Sequence, residues 1–337
     1  MNKFLTTLAS VAMLTTSAIA EDAVKAGFIY VGPRGDHGWT YMHDQARLQV
    51  EEQFGNQVET TFVESVHEGP DAERIMRQMA LTGHDIIFAT SFGYMDAMVK
   101  VSKEFPDIKF EHATGYKTTP NLSVYSSKFF EGRYIQGVIA GHMSKNAKAG
   151  YIASFPIPEV IRGINAFYRG ATSVNPDFDI DVIWAMTWYD PGKEADAARV
   201  LVQQGADIIT QHTDSPAALQ VAEQEGVLAF GQASDMITFA PSTQMTAILD
   251  IWGPYYVERI QSLIDGTWET TDTWGGLDSG MVDMAPYTNL PDNVVAIANQ
   301  TQEDIRSGKL VIFPEATDGD LLGMTEYDEG IDAVPPT

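Results

Sequence analysis

His212, Asp214 and Ser215 stand within a few positions of one another and are the residue types of a nucleophilic triad. A triad needs the base to reach the hydroxyl and the acid to reach the base, which neighbours on one loop need not do. No Gly-x-Ser-x-Gly elbow is present to expose a serine above a sheet. His37 and His43 are six apart, not the four that puts two metal ligands on one helix face. His84, His112 and His212 fall near expected strand ends, where a hydrogen-bonded structural histidine is the ordinary case. The chain has no Cys, which removes disulfides, thiolate metal sites and a cysteine nucleophile together. Neither catalysis, a metal nor a bound cofactor is expected.

Gly32-x-x-Gly35-x-x-Gly38 follows a β-rich run and opens a helical pattern. It lacks the Lys-Ser/Thr ending of a triphosphate loop and the spacing of a dinucleotide fingerprint. A tight turn presenting Asp36 and Trp39 is the better reading, although free amides at a helix start suit a polar ligand edge. The aromatic residues carry more information. Trp39, Phe92, Tyr94, Phe155, Trp188 and Trp252 fall on or just beyond loops that follow expected strands. Indole and phenol rings offer a flat apolar face with a polar handle, which suits stacking on a planar ring. As a set they favour a flat aromatic or sugar ligand over a bare ion or an aliphatic amino acid. Trp39, as a cleft-facing ring, is expected to lie outside the core.

The elements that must position these loops alternate regularly. Strands are expected at 24–31, 58–63, 85–89 and 109–113, and helices at 39–54, 70–81 and 94–104. Strands spaced by crossover helices of this length make a parallel sheet covered on both faces. The pattern then repeats: Gly83-His84-Asp85-Ile86-Ile87 recurs as Gly205-Ala206-Asp207-Ile208-Ile209, each after an amphipathic helix and before a polar loop. Phe110 and Phe230 end the corresponding later strands. The chain also exceeds the size at which one core keeps growing, so two similar α/β lobes are expected. Ligands of such sheets sit outside the carboxyl ends of the strands, here in a cleft between lobes. Beyond Trp268 the pattern loosens, and the acidic tail after Pro314 reads as a crossing segment followed by a solvated end.

Residues 1–20 read as a cleavable export segment: Lys3, an apolar and hydroxyl stretch, then Ala18-Ile19-Ala20 before Glu21. Without a Cys there is no lipobox, so a freely diffusing periplasmic protein is expected. The formal net charge is −25, with 46 acidic against 21 basic residues, which disfavours nucleic acid and anionic lipid as partners.

At these loops the chain resembles the basic membrane protein family of ABC-importer substrate-binding components, many of which bind purine nucleosides. The resemblance rests on Asp36-His37-Gly38-Trp39, Ser91-Phe92-Gly93-Tyr94-Met95-Asp96, the 105–110 segment, Glu131-Gly132 with Gly137 and Ala140-Gly141, Trp188-Tyr189-Asp190-Pro191-Gly192-Lys193, and 231–235. It implies a type I periplasmic binding fold: two doubly wound parallel-sheet lobes joined by a three-segment hinge. The lobes are expected at 21–126 plus about 237–270 and at 127–236 plus about 271–320, with a tail at 321–337. Two departures bear on the ligand. Thr40 stands where the family has Asn. The segment that in nucleoside binders is a helix carrying a Lys near the ribose reads Ala247-Ile248-Leu249-Asp250-Ile251-Trp252, without Lys.

Asp250 and the bulky Trp252 are therefore expected to close a ribose pocket, favouring a free base, adenine first, over a nucleoside. Trp39 and either Phe92 or Trp188 are expected to sandwich the ring, with Asp235 accepting from its N–H groups and Asp36 and Tyr94 nearby. The implied partners are a purine and an inner-membrane permease, and a monomer is expected. A nucleoside, a sugar or opine ligand, a ligand-sensing receptor and a hydrolase are the competing readings.

Overall fold

A computed structural model describes residues 23–333 and Pro335. The expected export segment, 1–20, lies outside the described residues. The chain runs β1 (Val24–Ile29), α1 (Trp39–Phe54), β2 (Val58–Val63), α2 (Pro70–Leu81), β3 (Ile86–Ala89), α3 (Met95–Glu104), β4 (Lys109–Ala113) and β5 (Leu122–Ser127). It continues α4 (Phe129–Met143), β6 (Lys148–Ala153), α5 (Pro158–Val174), β7 (Asp179–Trp184), α6 (Pro191–Gln203), β8 (Ile208–Gln211), α7 (Ala217–Glu225), β9 (Leu228–Gly231) and β10 (Gln244–Asp250). It closes with α8 (Gly253–Ile264), β11 (Asp272–Gly275), β12 (Val282–Met284), α9 (Asp292–Arg306) and α10 (Asp318–Leu322).

Two sheets result, ordered β11-β5-β4-β3-β1-β2 and β12-β10-β9-β8-β6-β7. All pairings are parallel except β12 on β10. Helices cover both faces, so the inner strands are buried on both sides; β3 and β5 are buried along their whole length. Local chemistry sets the helix starts. Pro70 opens α2 with Asp71 and Glu73 in its first turn, and the Asp190 carboxylate caps α6 by accepting from the Gly192 and Lys193 amides. The sequence repeat marks equivalent places: Asp85 accepts from the Lys25 amide before β3, and Asp207 accepts from the Lys145 and Asn146 amides before β8.

Strand pairing moves the expected crossings. β10 belongs to the second sheet and β11 to the first, so the chain passes between lobes at 127–129, 250–253 and 275–277 rather than near 237 and 270. Residues 247–250 are the end of a strand, not a helix, and Trp252 caps the start of α8. The three crossings are tied to one another: Ser127 Oγ donates to Asp250 Oδ1 (2.9 Å), the Lys128 amide to Gly275 O (2.6 Å), and the Leu277 amide to Glu131 Oε2 (2.7 Å). Asp250 is thus a hinge residue. Burial holds its carboxyl well above the usual aspartate range.

The tail is also not a solvated end. Arg169 holds both Asp328 oxygens, the Arg162 guanidinium donates to Leu321 O, and Trp184 Nε1 donates to Ala333 O (2.9 Å). Two of its acids, Glu315 and Asp328, pair with Arg169 of the second lobe, while Asp318, Asp320, Glu326 and Glu329 stay exposed.

α4 and α5 meet at glycines. A Cβ at Gly137 would lie 2.0 Å from Phe167 O, and one at Gly170 2.2 Å from Tyr134 O. Both obstacles are backbone and cannot rotate away. Gly170→Ala should therefore lower stability by about 1–3 kcal/mol through overpacking, read as an earlier urea midpoint with an unchanged slope. An unchanged midpoint would show that the pair relaxes freely.

Candidate ligand-binding site

Doubly wound sheets bind ligands where the strand order reverses. In the first sheet that point lies between β1 and β3, and in the second between β6 and β8. A cavity of only about 30 Å³ sits between these points. Val31, Ser91 and Phe92 reach it from the loops after β1 and β3; Ile157, Glu159, His212 and Asp214 reach it from those after β6 and β8. Trp39, Thr114, Trp188 and Gln232 complete the wall. The volume leaves room for little more than a water, so the lobes must part to take a larger ligand. Backbone strain gathers at the same level: Ser65, Thr114, Met186 and Ala233, each just past a strand, hold positive φ without being glycine.

Two elements bring Asp214 to the cavity. Gln211 Nε2 donates to Thr213 O and Ser215 O, and Glu194 accepts from the Ser215 amide and Oγ, which together fold the loop after β8. The Asp214 amide donates to Trp188 O (3.0 Å), joining that loop to the one after β7. Burial raises the Asp214 carboxyl well above its usual range, the nearby Glu194 charge raises it further, and the Trp39 amide at the start of α1 partly offsets this. Among the described residues no side chain donates to it. A buried carboxylate in that condition is poised for N–H donors from elsewhere.

The other polar groups are oriented from behind. The buried Arg133 guanidinium donates to Gln232 Oε1 and to Thr210 Oγ1 (2.9 Å), and it stacks near the Phe129 and Tyr151 rings. That leaves the Gln232 amide NH2 as its free end. His212 Nε2 lies 3.4 Å from Glu159 Oε1, and burial lowers the imidazole pKa, so the neutral ring prevails. Ser215 Oγ is taken by Glu194, so His212, Asp214 and Ser215 do not form a triad.

The lobes touch across the cleft. The Gly38 amide donates to Ser234 Oγ (2.8 Å), Trp188 Nε1 donates to Glu68 Oε1 (3.2 Å), and His37 meets the Phe239 ring edge-on at 4.8 Å. A Cβ at Gly38 would fall 2.4 Å from Asp214 O, so that close approach requires glycine. The amide expected to be free at this helix start is instead a cross-cleft donor.

Of the seven residues singled out from sequence, Trp39, Phe92 and Trp188 line the cavity. Tyr94 does not: it is buried in the first lobe, and its hydroxyl donates to Val66 O (2.6 Å). Asp36 is exposed at the cleft rim beside His37. Asp235 shares that rim, but its Oδ1 is occupied by the Ile237 amide and Gln244 Nε2 (2.7 Å), so it is not a free acceptor facing the cavity. Trp252 is buried, stacked on His43 at 4.9 Å and set edge-on to Trp39 at 5.4 Å. Neither Trp252 nor Asp250 lines the cavity, because β10 carries one into the hinge and the other into the core beneath Trp39. Trp39 itself is partly core, with Nε1 donating to Thr90 O (2.7 Å). Sequence reasoning missed Glu159, Gln232 and the role of Asp214. Their signal was position: Gln232 and Asp214 stand on loops after the second copy of the repeat, and Glu159 in the helix turn that follows β6.

Residues 23–315 match the family described as ABC transporter substrate-binding protein, PnrA-like. The chain belongs to that family. It is the basic membrane protein family that the motifs resemble, its members are substrate-binding components, and this chain is not an enzyme. A purine-binding protein of Brucella abortus (strain 2308) is 56% identical over 336 residues, covering 95% of this chain and 96% of that protein. A Haloferax volcanii protein named as an ABC transporter glucose-binding protein is 36% identical, covering 94% of this chain and 82% of that one. Among solved structures, a solute-binding protein of Aeropyrum pernix K1 has a TM-score of 0.75 at 17% identity, covering 88% of this chain and 97% of that one. One from Conexibacter woesei gives 0.69 at 22%, covering 86% and 98%. Both share the two-lobed fold. As in that family, the chain takes a small-molecule ligand and has a permease as its partner. No helix among the described residues is long and apolar enough to cross a membrane.

Proposed function

We propose that this protein captures a purine free base, adenine first, between its lobes and delivers it as a periplasmic monomer to an ABC importer. The observation that carries the reading is Asp214: a buried carboxylate without a side-chain donor among the described residues, at an interlobe cavity walled by Trp39, Phe92 and Trp188. A purine base supplies what such a site lacks, namely a flat ring for the aromatics and N–H groups for the carboxylate. The Gln232 amide NH2 is a donor for a ring nitrogen. With Asp214 and Glu159 both facing the ligand, phosphorylated nucleotides are disfavoured by charge. The name of the Brucella abortus relative supports a purine. The export pattern in 1–20 supports a periplasmic location.

A ribose adds hydroxyls that need partners, and each left unsatisfied costs about 1–3 kcal/mol, or roughly tenfold or more in affinity. No Lys lines the cavity to pair with ribose hydroxyls, which argues against it. Calorimetry on ligand-stripped protein should find adenine at least about tenfold tighter than adenosine. Equal affinities would show that the cleft makes room for ribose. Aromatic walls also stack on sugars, and the Haloferax volcanii relative carries a glucose-binding name. Glucose belongs in the same titration, and heat from glucose with none from any purine would replace this reading.

A further inference from the structure

Glu68 lies in the loop between β2 and α2, outside the cavity, yet its Oε1 receives three donors. Two come from its own lobe: Ser91 Oγ and the Gly93 amide (2.9 Å), which flank the cavity ring Phe92. The third is Trp188 Nε1 of the other lobe, at 3.2 Å. Residue 93 must be glycine for this arrangement, since a Cβ there would fall 2.3 Å from Glu68 Cδ. The carboxylate is thus oriented within its own lobe before the opposite lobe arrives.

Trp188 also forms a partition. It lines the cavity on one side and, with Val31, an outer groove of about 320 Å³ on the other, which includes Gly32, Ser65, His67 and Glu68. Phe155 packs beside it at 5.0 Å, but Trp188 Nε1 has only Glu68 as an acceptor among the described residues. A second cross-cleft hydrogen bond, Gly38 to Ser234, holds the lobes without engaging a cavity ring. We propose that Glu68 is a positioning residue that latches the Trp188 indole across the cleft, so that breaking this one hydrogen bond opens the cavity to the groove and sets the rate of ligand release. The choice of ligand rests on the purine reading; the latch itself does not.

The test is stopped-flow release of adenine from the full chain. A hydrogen bond to a charged acceptor is worth enough to change a rate about tenfold. Glu68→Ala should speed release about tenfold and change the association rate less than about threefold, because the encounter precedes latching. Glu68→Gln keeps an oxygen acceptor and should stay within about threefold of the parent. Trp188→Phe removes the donor, and adding Glu68→Ala to it should accelerate release no further. An unchanged release rate in Glu68→Ala, or effects that multiply in the double variant, would overturn the latch. If the parent protein binds no purine, the ligand reading fails on its own, and the latch is judged by geometry. Because the sequence has no Cys, spin labels at Leu81→Cys and Val200→Cys, one exposed site per lobe, report the interlobe distance without background. In ligand-free protein Glu68→Ala should shift that distribution to longer distances, and coincident distributions would sink the proposal.

Discussion

Asp214→Asn should weaken adenine binding by about a hundredfold and, at the same time, make the ligand-free protein harder to unfold at neutral pH. Asparagine keeps the shape but removes the charge and one acceptor. Losing a charge-assisted hydrogen bond of about 2–3 kcal/mol accounts for the affinity. The stability gain follows from the direction of the carboxyl's shift. Burial and Glu194 raise its folded pKa above the unfolded value of 3.8. Between those two values the folded state holds a proton that the unfolded state has released, so stability falls as pH rises through that window. The variant lacks this term. Urea unfolding at pH 5 and pH 8 should show the variant's advantage widening at the higher pH, toward about 1–3 kcal/mol, the cost of an unsatisfied buried group. A variant that binds adenine normally, or that is less stable than the parent at pH 8, would remove Asp214 from the site. Functional sites commonly carry such a stability cost.

Trp188→Ala should lower adenine affinity by about 1–3 kcal/mol, the range for one aromatic ring stacked on a base. Its ring is half-buried at the cleft, packed on Phe155, so the melting temperature of the ligand-free protein should move little. Trp39→Ala is the informative control. Its indole is bonded to Thr90 O and set against Trp252 and His43, so affinity and melting temperature should fall together. This corrects the expectation that a cleft-facing Trp39 would be independent of the core. Thermal unfolding and calorimetry on both variants separate the cases. Normal binding by Trp188→Ala would mean that the ligand lies against the first lobe alone.

Local pattern was enough for much of the fold. The alternation of β-rich runs with amphipathic helices located α1, β2, α2 and β4 at their observed bounds, because proline, glycine and acidic first turns punctuate them. The paired Gly-x-Asp-Ile-Ile units marked β3 and β8, since both need a left-handed glycine and an aspartate that satisfies neighbouring amides. Three aromatics of the cavity were legible because they stand on strand-end loops, but Tyr94 and Trp252, placed the same way, pack into the first lobe. The identity of the acidic partner was not legible. Asp214 and Asp235 both occupy loops after second-lobe strands, and nothing local distinguishes them. Strand order puts β8 at the switch point and β9 beside it, so Asp214 faces the cavity while Asp235 spends its oxygen on Gln244 at the rim. Likewise, the pairing of β10 with β9 and of β11 with β5 put Asp250 in the hinge and Trp252 in the first-lobe core. Sequence by itself determined the elements, the duplication and the aromatic character of the site. Which residues are buried, and which meet across the cleft, depended on contacts between segments more than a hundred positions apart, which only the tertiary structure decides.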